Sequence, residues 1–144
     1  MISTRRLAIL ASLGGFFVLL DQVAKFIARV HPWARIYIWR PWLGWEYLRN
    51  TGIAFSLPIP QSIVIFFTPL IILALCMSIL KERRDELYSL ALILITSGAV
   101  SNFIDRVLWA ATIDYIRIFT GVINLADMMI AGGLILLFFL HRKI

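Results

Sequence analysis

Asp114 and Asp127 are two carboxylates that the chain could bring together, and a carboxylate pair is suited to hydrolytic chemistry. Two carboxylates brought together in a partly dry site cannot both ionise easily, so one pKa rises and the pair can share a proton. The ionised partner then takes a proton from water as that water attacks a carbonyl, while the protonated partner polarises the carbonyl oxygen. Six more polar side chains lie inside or just beyond apolar segments: Asp21, Lys25, Asn102, Asp105, Arg106 and Asn124. Threaded through a membrane in the simplest way, all eight fall at one depth near one face. An ionisable group in a span costs about 2.5–3.5 kcal/mol on insertion scales and is kept where it is paired, wet or functional.

The spacing groups them further. Asp21 and Lys25 stand at i and i+4 with the acid first, the better order for a pair on one helix face. Asn102, Asp105 and Arg106 share a face at the outer end of a second helix. Asn124 shares a face with Asp127, which is expected about five residues into its helix, roughly 7–8 Å below its start. Asp114 lies in Ala-Thr-Ile-Asp-Tyr-Ile and by itself is an ordinary loop carboxylate. Its loop of about 15 residues is long for a connection between neighbouring helices, enough to fold Asp114 back onto Asp127. Carboxylates at this depth serve proton relays and transport as well as proteolysis, so spacing leaves a proton-coupled carrier or transporter subunit open. Other catalysts are poorly supplied. His31 and His141 fall at opposite faces and no HExxH motif exists. Cys76 is isolated in mid-segment, and Ser97 and Ser101 have no GxSxG motif around them.

Four apolar stretches must position these groups. The chain is 61% hydrophobic and 15% charged, well beyond a soluble domain on the first count and short of one on the second. Four transmembrane helices are expected at about 7–29, 62–80, 87–106 and 122–140. Arg5-Arg6 before the first stretch resembles a signal peptide, but Asp21-Gln22 falls where a small-residue cleavage site belongs, so an uncleaved helix is expected. Basic residues near the helix ends number seven on each side, but one set is packed into 1–6, 81–86 and 141–144. That density places both termini in the cytoplasm and the polar level at the outer face. The net charge of +6 is clustered at helix ends, which argues against nucleic acid as a partner. The outer segment 30–61 holds Trp33, Trp39, Trp42 and Trp45, residues suited to a membrane interface. Residues 35–39 and 45–48 alternate as strands around a turn at Pro41–Gly44. The expected fold class is an all-α membrane protein of one domain, 1–144, with a small extracytoplasmic β-sheet between helices one and two.

The motifs, taken in order, resemble the lipoprotein signal peptidases (signal peptidase II), bacterial inner-membrane aspartic endopeptidases. Asp21-Gln22-Val-Ala-Lys25 is similar to the family's DQxxK, and Asn50-Thr-Gly52-Ile-Ala-Phe55 to NxGxAF. Ser101-Asn102-Phe-Ile-Asp105-Arg106 is similar to GNxxDR, Ile113-Asp114-Tyr115 to VxDF, and Ile123-Asn124-Leu-Ala-Asp127 to FNxAD. Ser101 and Ile123 depart from the family's Gly and Phe without touching a carboxylate. The resemblance implies that Asp114 and Asp127 are the catalytic aspartates. It implies that Asn50, Gly52, Asn102, Arg106 and Asn124 line or support the site, and that Asp21 and Lys25 support it structurally or position substrate. It implies cleavage of the signal peptide of a diacylglyceryl-modified prolipoprotein just before the lipidated cysteine, with no metal or organic cofactor. The expected partners are prolipoproteins and membrane lipids, and a monomer in the bacterial inner membrane is expected.

Overall fold

The computed structural model describes residues 3–52, 59–81 and 86–141. The described residues form four helices, with one β-hairpin between the first two and another between the last two: α1 Thr4–Val30, β1 Arg35–Trp39, β2 Leu43–Asn50, α2 Gln61–Lys81, α3 Glu86–Trp109, β3 Thr112–Ile118, β4 Gly121–Ile123 and α4 Leu125–His141. Three of the helices are long and apolar enough to cross a membrane by length and composition, and α4, at 17 residues, is a shorter apolar helix. The chain is thus an apolar helical protein built for a membrane, carrying a small antiparallel sheet.

Helix α3 is central and packs against α1, α2 and α4. The buried residues of α1 are Gly14, Asp21, Lys25 and Ala28, one face at helical spacing. Helix α2 buries none of its side chains and rests chiefly on α3. Phe66, Phe67 and Leu70 on α2, like Phe138 and Phe139 on α4, are exposed as lipid-facing residues would be. Arg6 near the start of α1 pairs with Glu86 at the start of α3 at 3.0 Å, so these two ends lie together, away from the sheet.

The sheet differs from expectation. It has four strands in the order β1-β2-β3-β4, all antiparallel. Only half of it lies between α1 and α2; the connection between α3 and α4, read as a loop, supplies β3 and β4. The reason is local: five of the seven residues of Thr112–Ile118 are β-branched or aromatic, a composition that favours a strand. Its partner β2 is distant in sequence, and the pairing sets Leu48 opposite Asp114 and Asn50 opposite Thr112. The start of α4 is also corrected. Residues 121–123 pair with β3 rather than opening the helix, which begins at Leu125. Asp127 therefore sits in the first turn of α4, not a turn and a half inside it. At the other end of the connection α3 continues to Trp109, and Ala110, with φ 51°, turns the chain into β3. Beneath the sheet, Ala28, Ile113 and Tyr115 form a small core with Ala24, Trp45, Tyr47, Ile116 and Leu125. That core clamps the C-terminal end of α1 and the N-terminal end of α4 to β3.

Candidate active site

The start of α4 is built as a cap. A helix begins with backbone N–H groups that have no partner inside it. Here each finds one: Leu125 N–H donates to the Tyr115 hydroxyl at 3.2 Å, Ala126 N–H to Asp21 Oδ1 at 3.3 Å and Asp127 N–H to Asn124 Oδ1 at 2.8 Å. The Asp127 carboxylate reaches back and accepts the Asn124 N–H at 3.3 Å. This is a capping box, with asparagine and aspartate in place of serine and glutamate.

The two carboxylates suspected of chemistry belong to one network. Asp114 Oδ1 accepts Asn124 Nδ2 at 2.7 Å, and Asp114 Oδ2 accepts Asn50 Nδ2 at 3.0 Å. Asp127 Oδ1 accepts Asn102 Nδ2 at 2.8 Å, while its Oδ2 takes the Asn124 backbone. Each of the four carboxylate oxygens has an N–H donor. Asn124 is the bridge, holding Asp114 with its side chain and Asp127 with its backbone. Asn50 reaches Asp114 diagonally across β2 and β3, two residues from its paired position, as same-face neighbours do. Asp114 is 1% exposed and Asp127 is half-buried. Burial first, and then the neighbouring Asp127 charge, push the Asp114 carboxyl up to about 6, against the opposing hydrogen bonds from Asn50 and Asn124 and the Lys25 charge.

Asp21 and Lys25 are brought into the same region as a buried charged cluster. Lys25 Nζ lies 2.7 Å from Asp21 Oδ2, 2.9 Å from Asp105 Oδ2 and 2.9 Å from Asn102 Oδ1. Asp21 also accepts the Ser101 hydroxyl at 2.6 Å and the Tyr115 hydroxyl at 2.8 Å. Burial and the Asp21 charge both raise the Tyr115 pKa, so the phenol stays a donor. Asp105, left without a role by the sequence, accepts the Ile113 N–H at 3.1 Å and Gln22 Nε2 at 3.1 Å. It ties α1 and α3 to the first residues of β3.

Arg106 and Gly52 meet, but not at a carboxylate. The Arg106 guanidinium donates to Gly52 O at 2.8 Å and Gln61 Oε1 at 3.0 Å, and Gln61 Nε2 donates to Thr51 O. Gly52 N–H in turn donates to Asn50 Oδ1 at 3.0 Å. Arg106 thus fixes the backbone that orients Asn50. Residues 53–55 of the motif beginning at Asn50, and the basic residues Arg83, Arg84, Arg142 and Lys143, lie outside the described residues. Sequence reasoning missed Gln22, Ser101, Gln61 and Tyr115 as site supports. The first, second and fourth stood inside quoted motifs; Gln61 carried no signal. Among the described residues no group of three or more His, Cys, Asp or Glu is placed to hold a metal ion.

A family model described as signal peptidase (SPase) II matches residues 13–142. A lipoprotein signal peptidase of Caldanaerobacter subterraneus subsp. tengcongensis is 33% identical over 132 residues, spanning 87% of this chain and 90% of that protein. One of Caldicellulosiruptor bescii is 39% identical over 103 residues, 70% of this chain and 68% of that protein. Two solved structures of bacterial membrane enzymes, determined by the in meso method, share the fold at 25% identity and cover 99% of this chain. The first has a TM-score of 0.84 with 90% of its own length covered, the second 0.83 with 96%.

Proposed function

This chain belongs to the signal peptidase II family, a family of proteases, and from that premise we propose that it is an aspartic endopeptidase of diacylglyceryl-modified prolipoproteins with Asp114 and Asp127 as its catalytic pair. The observation that carries the reading is the Asn124 bridge, which holds both carboxylates in one hydrogen-bonded network where α4 meets β3.

In the reaction, the ionised carboxylate of the pair removes a proton from a water molecule held between them. The water oxygen bonds to the scissile carbonyl carbon, and the protonated partner gives its proton to the carbonyl oxygen. The resulting gem-diol collapses as the C–N bond breaks: the proton taken from water passes to the departing amine, and one hydroxyl of the diol returns its proton to the carboxylate that had donated one, restoring the pair. The asparagines have no proton to exchange in this cycle. They keep the carboxylates in place, and preorganised geometry of this kind is a large share of catalytic power.

The level of the site suits the substrate. Asp127 opens α4 and Asp114 lies in the strand just past α3, so the pair sits between apolar helices and sheet. A signal helix in the bilayer and a diacylglyceryl group in the outer leaflet present their joining peptide bond at that boundary. Four spans, both termini in the cytoplasm and a single domain in the bacterial inner membrane complete the reading. The sheet then rests on the outer surface, where Trp33, 75% exposed, and Ile38, 83% exposed, meet lipid.

The test is cleavage by the purified chain in lipid of a synthetic prolipopeptide, with and without diacylglycerol on its cysteine, read by mass spectrometry. Cleavage of the lipidated peptide alone, with the modified cysteine as the new N-terminus, is expected. Equal cutting of the unlipidated peptide, or a cut elsewhere, overturns the assignment.

A further inference from the structure

Resting on the catalytic pair proposed above, we propose that Lys25 is a positioning residue for Asp127, acting through the amide of Asn102. An ammonium group has three N–H donors and no acceptor. Lys25 uses two on Asp21 and Asp105, and its third is directed at Asn102 Oδ1, 2.9 Å away. An asparagine amide has a donor end and an acceptor end of nearly identical shape, so its orientation is decided by its partners. With a cation on Oδ1, Nδ2 must point the other way, and there it meets Asp127 Oδ1 at 2.8 Å. Turned over, Asn102 would set a carbonyl oxygen against a carboxylate.

The other two asparagines need no such help. Asn50 Oδ1 is held by the Gly52 N–H and Asn124 Oδ1 by the Asp127 N–H, both backbone donors on the same stretch of chain. Asn102 lies within a helix whose own backbone offers it no free donor. Its other neighbour, Asn124 Nδ2, has two hydrogens and donates one to Asp114 at 2.7 Å and the other to Asn102 Oδ1 at 3.2 Å. The shorter, charged contact that holds Asn102 Oδ1 is the one from Lys25 on α1, at 2.9 Å. Pairing with Asp21 and Asp105 uses two of the three ammonium donors, so charge pairing by itself does not call for the third contact, to Asn102.

The test is a set of variants of the full chain in lipid, assayed on the lipidated prolipopeptide. Lys25→Met with Asp105→Asn removes one charge of each sign, leaving Asp21 with its hydroxyl and backbone donors. Its kcat is expected to fall by about 10²-fold, the cost of a misplaced catalytic group, with KM unchanged. In an Asn102→Ala background the same pair of changes is expected to cost no further kcat, because Lys25 acts only through Asn102. Losses that multiply in the two backgrounds, or a parent-like kcat, overturn the relay. Where that pair of changes prevents folding, Asn102→Asp decides. It keeps an acceptor on Lys25 but replaces the donor facing Asp127 with a carboxylate oxygen, so kcat is expected to fall about 10²-fold in a chain whose melting curve shows it still folded. A parent-like kcat there also overturns the relay. Asp127→Asn is run alongside: if it stays active, the catalytic pair itself has failed, an outcome distinct from a failed relay beside an inactive Asp127→Asn.

Discussion

Asp114 shows how little a side chain's type says about its state. In sequence it is a carboxylate between Ile113 and Tyr115 on a connection that looks exposed. In the fold it is buried between Asn50 and Asn124, from residues 64 and 10 positions away, and its carboxyl is raised to about 6 from 3.8. The consequence for stability has a definite sign. The folded chain holds this proton between about pH 4 and 6 while the unfolded chain has lost it, so the contribution is complete below about pH 4 and declines as pH rises through 6. The swing is about 3 kcal/mol at most for one group. Melting temperature is therefore expected to drop between pH 4 and 7, and Asp114→Asn is expected to flatten that drop, as thermal denaturation at a series of pH values will read. An unchanged slope in the variant would place the titrating group elsewhere. Residue identity was legible for Asp21, Lys25, Asn102 and Asn124 because polar side chains stand out in apolar stretches. The destination of Arg106 was not legible, because its partners Gly52 and Gln61 come near it only through tertiary packing.

At the scale of elements, α4 begins where its cap puts it. Apolar content alone ran the helix back to residue 122, but Gly121–Ile123 pairs with β3 and Asn124 closes the first turn. The Asn-x-x-Asp spacing was present in the sequence as a capping signal, and reading hydropathy ahead of it misplaced the boundary. The cap and the carboxylate clamp are two uses of one side chain, and they separate by substitution. Asn124→Ala is expected to lower stability by about 1 kcal/mol through the lost cap, and more where the buried Asp114 is left short of a donor. Asn124→Ser restores a good capping oxygen but no amide for Asp114. Serine is thus expected to recover much of the melting temperature lost in the alanine variant while cleavage stays depressed. Recovery of both together would mean that the contact to Asp114 is dispensable. The strand β3 was missed for a different reason. Its β-branched and aromatic residues were visible, but a strand is identified securely only with its partner, and Leu43–Asn50 lies more than sixty residues back.

Over the whole molecule, lipid takes the place of a large internal core. Helices α1 and α4 expose Phe16, Leu19, Phe138 and Phe139 outward, so packing rests on close backbone approach to α3. Gly98 is such a point: a Cβ there would stand 2.5 Å from the Ala126 carbonyl, one residue from Asp127. Gly98→Ala is expected to cost about 1–3 kcal/mol by overpacking and to slow cleavage by moving α4. Gly132→Ala, where a Cβ meets nothing within 4 Å, is expected to alter neither. The four apolar helices were readable from hydropathy. The four-stranded sheet was not, because its halves come from two separate connections. What unites the three scales is the claim that Asp114 and Asp127 act as a pair. Cleavage of the lipidated prolipopeptide by Asp114→Asn and by Asp127→Asn, each confirmed folded by its melting curve, tests it most directly. Each variant alone is expected to lose at least about 10²-fold in rate; near-parental cleavage by either one would contradict the account.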